Sequence, residues 1–148
     1  MFEKQKEIAI GSDHGGFELK EFLKNELEKQ GYTLIDYGCF SIESVDYPDV
    51  VHPLAEAVSN GKFEKAIIMC GSGNGIQMAA NKHRNVRAAL CWDIEQTRLT
   101  RLHNDANILS LPGRFINFVL AYQMVEVFLN TEFEGGRHQI RVEKISKF

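Results

Sequence analysis

Cys70 stands between an apolar run, Ile67, Ile68 and Met69, and a glycine-rich stretch, Gly71, Ser72, Gly73, Asn74 and Gly75. A thiol can act as a base or as a nucleophile. A glycine turn opening a helix gathers main-chain N–H groups, and the helix dipole adds partial positive charge at that point. A cysteine held against a helix N-terminus has its thiolate form favoured. The stretch from Ile67 to Asn81 thus combines a base with a cradle for an oxyanion. The plain alternatives are a buried structural thiol and a turn that only needs positive φ. The pattern G-x-G-x-G lacks the spacing of a dinucleotide fingerprint, and no Lys-Ser/Thr follows to make a P-loop. Cys39 and Cys91 have no comparable setting and read as structural thiols.

Four further groups carry chemistry. Asp13 and His14 lie in the loop GSDHGG (Gly11 to Gly16), where Asp13 reads equally well as a helix cap and as a reactive carboxylate. His103, Asn104 and Asp105 end a predicted helix, where a histidine often serves only the dipole. Arg137 and Arg141 are four apart, so on a helix they share a face and suit a phosphate or carboxylate, or else form a solvated basic tail. Arg114 follows a predicted strand and points to the same edge as the glycine turn.

These residues need elements to place them. Strands are predicted at Glu7 to Ile10, Tyr32 to Tyr37, Lys65 to Cys70, Val86 to Cys91 and Asn107 to Leu111. Helices are predicted at Phe17 to Gln30, Asp49 to Asn60, after the glycine turn to about Lys82, at Ile94 to His103 and at Phe115 to Asn130, with a last one from about His138. The first presents Phe17, Leu19, Phe22, Leu23 and Leu27 on roughly one face and stops at Gly31. Gly61 ends the second. Five alternations of strand and helix predict an α/β domain with a parallel sheet covered on both faces. Ligands of such sheets sit at the carboxyl ends of the strands.

Composition narrows the function classes. The chain has 148 residues, 44% of them hydrophobic and 25% charged, enough for one domain with one core. A net charge of −3 provides no field for nucleic acid or a membrane surface. Charged residues near the start break any signal-like apolar run, and no stretch is long enough to span a bilayer. Three cysteines at unrelated spacings point to reduced thiols in a cytoplasm, with neither a disulfide framework nor a zinc pattern.

Taken together, GSDHGG, DYPD (Asp46 to Asp49), CGSGNG (Cys70 to Gly75), AANK (Ala79 to Lys82), HNDAN (His103 to Asn107) and EGGRHQIRV (Glu134 to Val142) resemble the ribose-5-phosphate isomerase type B family. That family also contains allose-6-phosphate and galactose-6-phosphate isomerases. The resemblance runs nearly end to end. It implies a three-layer α/β/α sandwich with a Rossmann-like five-stranded parallel sheet, formed by residues 1–148 as one domain, with the tail from about 131 to 148 packed on a partner subunit. It implies an aldose–ketose isomerase of carbohydrate metabolism, in the pentose phosphate pathway, needing no metal and no cofactor. The assembly is expected to be a homodimer or homotetramer with shared active sites. In that reading Cys70 is the base that moves a proton between C1 and C2. The Gly71, Gly73, Asn74 and Gly75 amides, with Ser72, hold the enediolate oxygen. Asp13 and His103 open the sugar ring, and His14, Arg114, Arg137 and Arg141 take the phosphate. Tyr47 and Asn104 touch sugar hydroxyls, and His103 and Asn104 are expected from the neighbouring subunit. Some members lack the cysteine and use a Glu six positions later. Here that position is Ile76, which places the chain in the cysteine branch. Ser72 stands where many members have Thr.

The expected reaction is ribose 5-phosphate to ribulose 5-phosphate, because one chain carries the full set of site residues. A six-carbon substrate, allose 6-phosphate or galactose 6-phosphate, is the alternative, and a phosphate-binding module without catalysis is a more distant one. A cysteine phosphatase is set aside, since no Arg follows Cys70 at the spacing its loop requires.

Overall fold

The computed structural model describes residues 6–148. Five strands form one sheet, all parallel: β1 (Glu7–Ser12), β2 (Thr33–Asp36), β3 (Ala66–Cys70), β4 (Ala88–Leu90) and β5 (Ile108–Pro112), in the order β2-β1-β3-β5-β4. Six α-helices connect or follow them: α1 (Phe17–Lys29), α2 (Tyr47–Ser59), α3 (Asn74–Ala80), α4 (Ile94–Asn104), α5 (Phe118–Asn130) and α6 (Arg137–Lys144). This is the α/β sandwich that the alternation of elements predicts. Among the described residues, no helix is long and apolar enough to cross a membrane.

The strand at the centre is β3, and all five of its residues are buried. Alternation divides them. Ile67 and Met69 face a core layer with Leu19, Leu23 and Leu27 of α1 and Met124, Val125 and Phe128 of α5. Ala66, Ile68 and Cys70 face the other layer, with Val51, Leu54 and Val58 of α2 and Ile76 of α3. Each large side chain so buried contributes about 1.5–3 kcal/mol. A strand covered on both faces cannot slip by one residue without exchanging its two layers, so Cys70 is held at the carboxyl edge.

Several boundaries differ from the sequence reading for local reasons. Helix α5 starts at Phe118 rather than Phe115, because the Asn117 carboxamide oxygen accepts from the Val119 and Leu120 amides and caps the helix there. Helix α2 starts earlier, at Tyr47, since Pro48 fits the first turn. Strand β4 is short. On its outer edge the Asn81 side chain exchanges two hydrogen bonds with the main chain of Ala88, replacing a further strand. Gly31 and Gly61, with φ of 91° and 80°, end α1 and α2 as expected.

A buried ion cluster ties the loop after β2 to this frame. Lys20 is fully buried, and its Nζ donates to Asp36 Oδ2 at 2.5 Å and to Glu21 Oε1 at 2.9 Å. Lys24 donates to the same Asp36 oxygen at 2.9 Å. The Gly38 amide donates to Asp36 Oδ1 at 2.8 Å, and the Phe17 and Phe40 rings flank the Lys20 ammonium. The loop then pairs with the end of β1, through Ser12 N to Gly38 O and Cys39 N to Ser12 O, each 2.6 Å. Burial pushes the Asp36 carboxyl up, but the bonds from Lys20, Lys24 and the Gly38 amide outweigh it and hold it below the usual carboxylate range.

Because the folded carboxyl titrates below its unfolded value of about 3.9, its stabilisation is present above that pH and is lost as pH falls through the folded value. Asp36→Ala leaves the buried Lys20 ammonium without its main partner and is expected to lower stability by about 3–5 kcal/mol near neutral pH. Urea unfolding of the two proteins at pH 7 measures this, and coincident midpoints would show that the cluster stabilises nothing.

Candidate active site

The loops after β1, β3 and β5 meet at the carboxyl edge of the sheet. After β1 the chain makes a 3₁₀ turn, His14–Gly16, capped by Asp13 Oδ1 accepting from the Gly15 amide at 2.8 Å. The capping reading of Asp13 is therefore correct, and it holds a nearly buried carboxylate at this edge. A Cβ on Gly15 would come within 2.8 Å of the Gly71 nitrogen, so the first and third loops touch main chain to main chain. The β5 turn closes the other side, where Gly113 N donates to Cys70 O at 2.9 Å and Arg114 N to Gly71 O at 3.0 Å.

Cys70 Sγ accepts a hydrogen bond from the Gly73 amide at 3.1 Å. The sulfur therefore lies against the glycine curl, although the residue is only 4% exposed. Gly73 has φ of 73°, and a Cβ there would stand 2.8 Å from Leu111 O, so both conformation and space require glycine. The curl is pinned from beneath by Ser110, whose buried hydroxyl donates to Gly73 O at 2.6 Å. Ser72 Oγ accepts from the Asn74 amide at 3.2 Å, at the start of α3. Cys91, by contrast, is a buried thiol pushed up to about 11 by its burial, with Asp93 adding to the shift and a bond from Thr97 opposing it. Cys39, Cys70 and Cys91 are all unpaired.

The remaining groups at this edge follow from α2 and the β5 turn. The Tyr47 ring packs on the curl: a Cβ on Gly75 would fall 2.5 Å from its Cζ and 2.6 Å from its hydroxyl. The Arg114 side chain runs over Gly71, with Nη1 3.4 Å from where a Cβ would stand. His14 Nδ1 accepts from the Val45 amide at 3.2 Å, which puts the proton of the neutral ring on Nε2. Asp13, His14, Val45 and Tyr47 line a cleft of about 490 Å³. One chain thus brings Asp13, His14, Tyr47, Ser72 and Arg114 around Cys70.

It does not bring His103, Asn104, Arg137 or Arg141 there. Helix α4 leaves the carboxyl end of β4 and returns to the start of β5, so its last turn lies toward the opposite edge. Asp105, just past it, accepts from Arg87 Nε through its main-chain oxygen at 2.8 Å. Arg87 precedes β4, whose first residue is level with Ala66 of β3 across β5. Cys70 is four strand residues further on, about 13 Å along the sheet. Helix α6 packs on this end of α4. The His103 and His138 rings stack with centroids 4.4 Å apart, and Glu134 N donates to Leu102 O at 3.1 Å. Burial and the neighbouring charges of His103 and Arg137 hold the His138 imidazole below its ordinary value.

Sequence reasoning missed several supporting residues. Ser110 carried a signal, a lone hydroxyl within the apolar strand ILSLP. Lys20 carried none, because a lysine on an amphipathic helix reads as solvent-facing. Glu134 and His138 lay inside a noted motif without a role of their own.

Comparison with known proteins agrees with this fold. Residues 8–145 match the family model described as Ribose/Galactose Isomerase. Ribose-5-phosphate isomerase B of Escherichia coli is 42% identical over 141 residues, covering 95% of each chain. The crystal structure of a ribose 5-phosphate isomerase from Thermotoga maritima superposes with a TM-score of 0.94 at 47% identity, covering 96% of this chain and 98% of that one. Ribose-5-phosphate isomerase B from Mycoplasma genitalium, solved with bound ribulose 5-phosphate, superposes with a TM-score of 0.90 at 37% identity, covering 95% and 94%. With a full-length match of this kind and a cysteine set on a glycine curl at the sheet's edge, the chain belongs to the ribose/galactose isomerase family.

Proposed function

We propose that the chain interconverts ribose 5-phosphate and ribulose 5-phosphate, with Cys70 as the base. The observation that carries this is the sulfur held 3.1 Å from the Gly73 amide, at the point where three loops meet beside Tyr47 and Arg114. The ribulose 5-phosphate bound in the Mycoplasma genitalium relative supports the choice of a five-carbon sugar phosphate. A six-carbon sugar phosphate remains the second reading on family grounds.

The chemistry divides into three stages. Asp13 and His103 act as base and acid on the hemiacetal, which opens the ring. The Cys70 thiolate then removes the proton from C2 of the aldose, and the electrons of that C–H bond form the enediolate. The negative charge grows on the oxygen facing the curl, where the amides not engaged by Cys70 Sγ and Ser72 Oγ are fixed donors that stabilise it without reorganisation, each worth about 3 kcal/mol of barrier. The same sulfur returns the proton to C1 while the proton of the O2 hydroxyl passes to O1, which leaves the carbonyl at C2 and yields the ketose. His14, Arg114, Arg137 and Arg141 hold the phosphate, Tyr47 and Asn104 the hydroxyls, and this remote binding energy sets C2 against the sulfur.

A single chain keeps His103, Asn104, Arg137 and Arg141 away from Cys70. The reading therefore takes them from a second copy, in a homodimer or a dimer of dimers, each copy's tail completing its neighbour's site. Acting on a small phosphorylated sugar as a reduced-thiol enzyme fits the cytoplasm.

With ribose 5-phosphate, allose 6-phosphate and galactose 6-phosphate assayed side by side, kcat/KM should be highest for the pentose. A higher value for either hexose phosphate would reassign the substrate. Cys70→Ala should lose turnover by at least about a thousandfold while folding normally and retaining phosphate-ligand binding. Near-normal turnover in that variant would remove Cys70 from the mechanism. Co-expressing Cys70→Ala and His103→Asn chains, each inactive alone, should restore about a quarter of wild-type activity, since half of the dimers are mixed and each has one intact site. No recovery would place both residues in the same chain's site.

A further inference from the structure

Among the described residues, one cluster that lies apart from Cys70 within the single chain has the chemistry of a metal site. His103 lies on α4, His138 on α6, and Glu134 in the segment between α5 and α6. Glu134 Oε2 is 3.8 Å from His103 Nε2 and 3.9 Å from His138 Nε2. One ligand atom from each of the three residues lies within 4.8 Å of the other two. The imidazoles are stacked at an interplanar angle of 18°, so they must swing apart before both in-plane Nε2 lone pairs can meet one ion beside the carboxylate.

The frame behind them is set by the main chain. Glu134 N is bonded to Leu102 O of α4, and Gly135 and Gly136, with φ of 74° and 57°, turn the chain so that Glu134 and His138 face the same point. A tetrahedral zinc ion binds nitrogen and oxygen ligands at about 2.0–2.2 Å, which puts those atoms about 3.3 Å apart. The two imidazole–carboxylate gaps exceed that by only about half an ångström, within reach of side-chain rotation. Two imidazoles and one carboxylate form a donor set of the softness zinc takes. Glu134 is 58% exposed and His103 39%, so an ion can enter and keep a water as fourth ligand. The Arg137 and Arg141 guanidiniums on α6 oppose a divalent cation, which makes the ion exchangeable rather than structural.

We propose that His103, Glu134 and His138 form a regulatory site for a divalent transition ion, zinc in preference to magnesium or calcium, and that the bound ion inhibits the enzyme. It does so by binding His103 Nε2 and so tying up the imidazole that the proposed function assigns to ring opening. The inhibitory part rests on the role given to His103 above, whereas ion binding does not.

The test titrates cobalt(II) into the full chain, following its visible absorption, and zinc chloride by calorimetry, with turnover measured at each zinc concentration. One ion per chain should bind, and Glu134→Gln and His138→Gln should each weaken binding by at least about tenfold. His52→Gln should leave it unchanged, which separates this site from the exposed His52–His83 pair, whose ring nitrogens are 2.8 Å apart. Glu134→Gln should turn over normally without zinc and tolerate at least about tenfold more of it, which separates this site from zinc capture at Cys70. Binding unaffected by both cluster variants, or abolished by His52→Gln, overturns the proposal. Binding at the cluster with no loss of turnover overturns the inhibitory part and the role of His103, leaving the ion site and the Cys70 chemistry standing.

Discussion

There is no room for a Cβ where the first, third and fifth strands end. The Gly15 backbone approaches Gly71, Gly113 is bonded to Cys70, and Gly73 sits against Leu111 in a conformation that other residues avoid. Main chain packed on main chain is stiff and rich in oriented N–H groups, and it needs no side chain to create partial positive charge. A sulfur at the end of a fully buried strand is thereby set against an amide held in place by main-chain packing. Most other features of this edge follow from that approach. Tyr47 rests on Gly75, Arg114 lies over Gly71, and the Ser110 hydroxyl supports the curl from the next strand.

Parallel topology has a second consequence. Every helix must carry the chain back to the amino edge before the next strand can start. Residues just after a strand gather at one edge, and residues at the end of a returning helix gather toward the other. Cys70, Asp13 and Arg114 belong to the first class, and His103 and Asn104 to the second. The tail follows the second class, since α6 packs on the end of α4 through the His103–His138 stack. One set of chemically related residues is thus divided in the single chain by the same rule that builds the sheet. Two copies arranged tail to cleft would reunite them.

The division also separates roles by rigidity. The Cys70 edge is held by buried strands and by the Lys20–Asp36 cluster, which anchors Gly38 at the start of the loop that runs on to Val45, whose amide donates to His14 Nδ1. The His103 end is more exposed and depends on glycine turns and ring stacking. Tight placement is what a proton transfer in the cleft would require, whereas an end completed by a neighbouring copy would tolerate more freedom.

The order of the elements, the parallel sheet and the chemical character of Cys70 and its glycines were legible in the sequence. Periodicity, glycine stops and alternation are local properties, read within a few residues of one another. The helix starts at Tyr47 and Phe118 were not, since a proline or an asparagine near a boundary admits more than one start. The buried position of Lys20 was hidden because its partner, Asp36, comes from a different element sixteen residues away. Only the tertiary structure decided which site residues share an edge: Asp13, His14, Tyr47 and Arg114 come to Cys70, while His103 and both tail arginines lie elsewhere. The reason is physical. Residue type and spacing determine what a side chain can do, whereas the direction in which each element crosses the sheet determines which side chains it can meet.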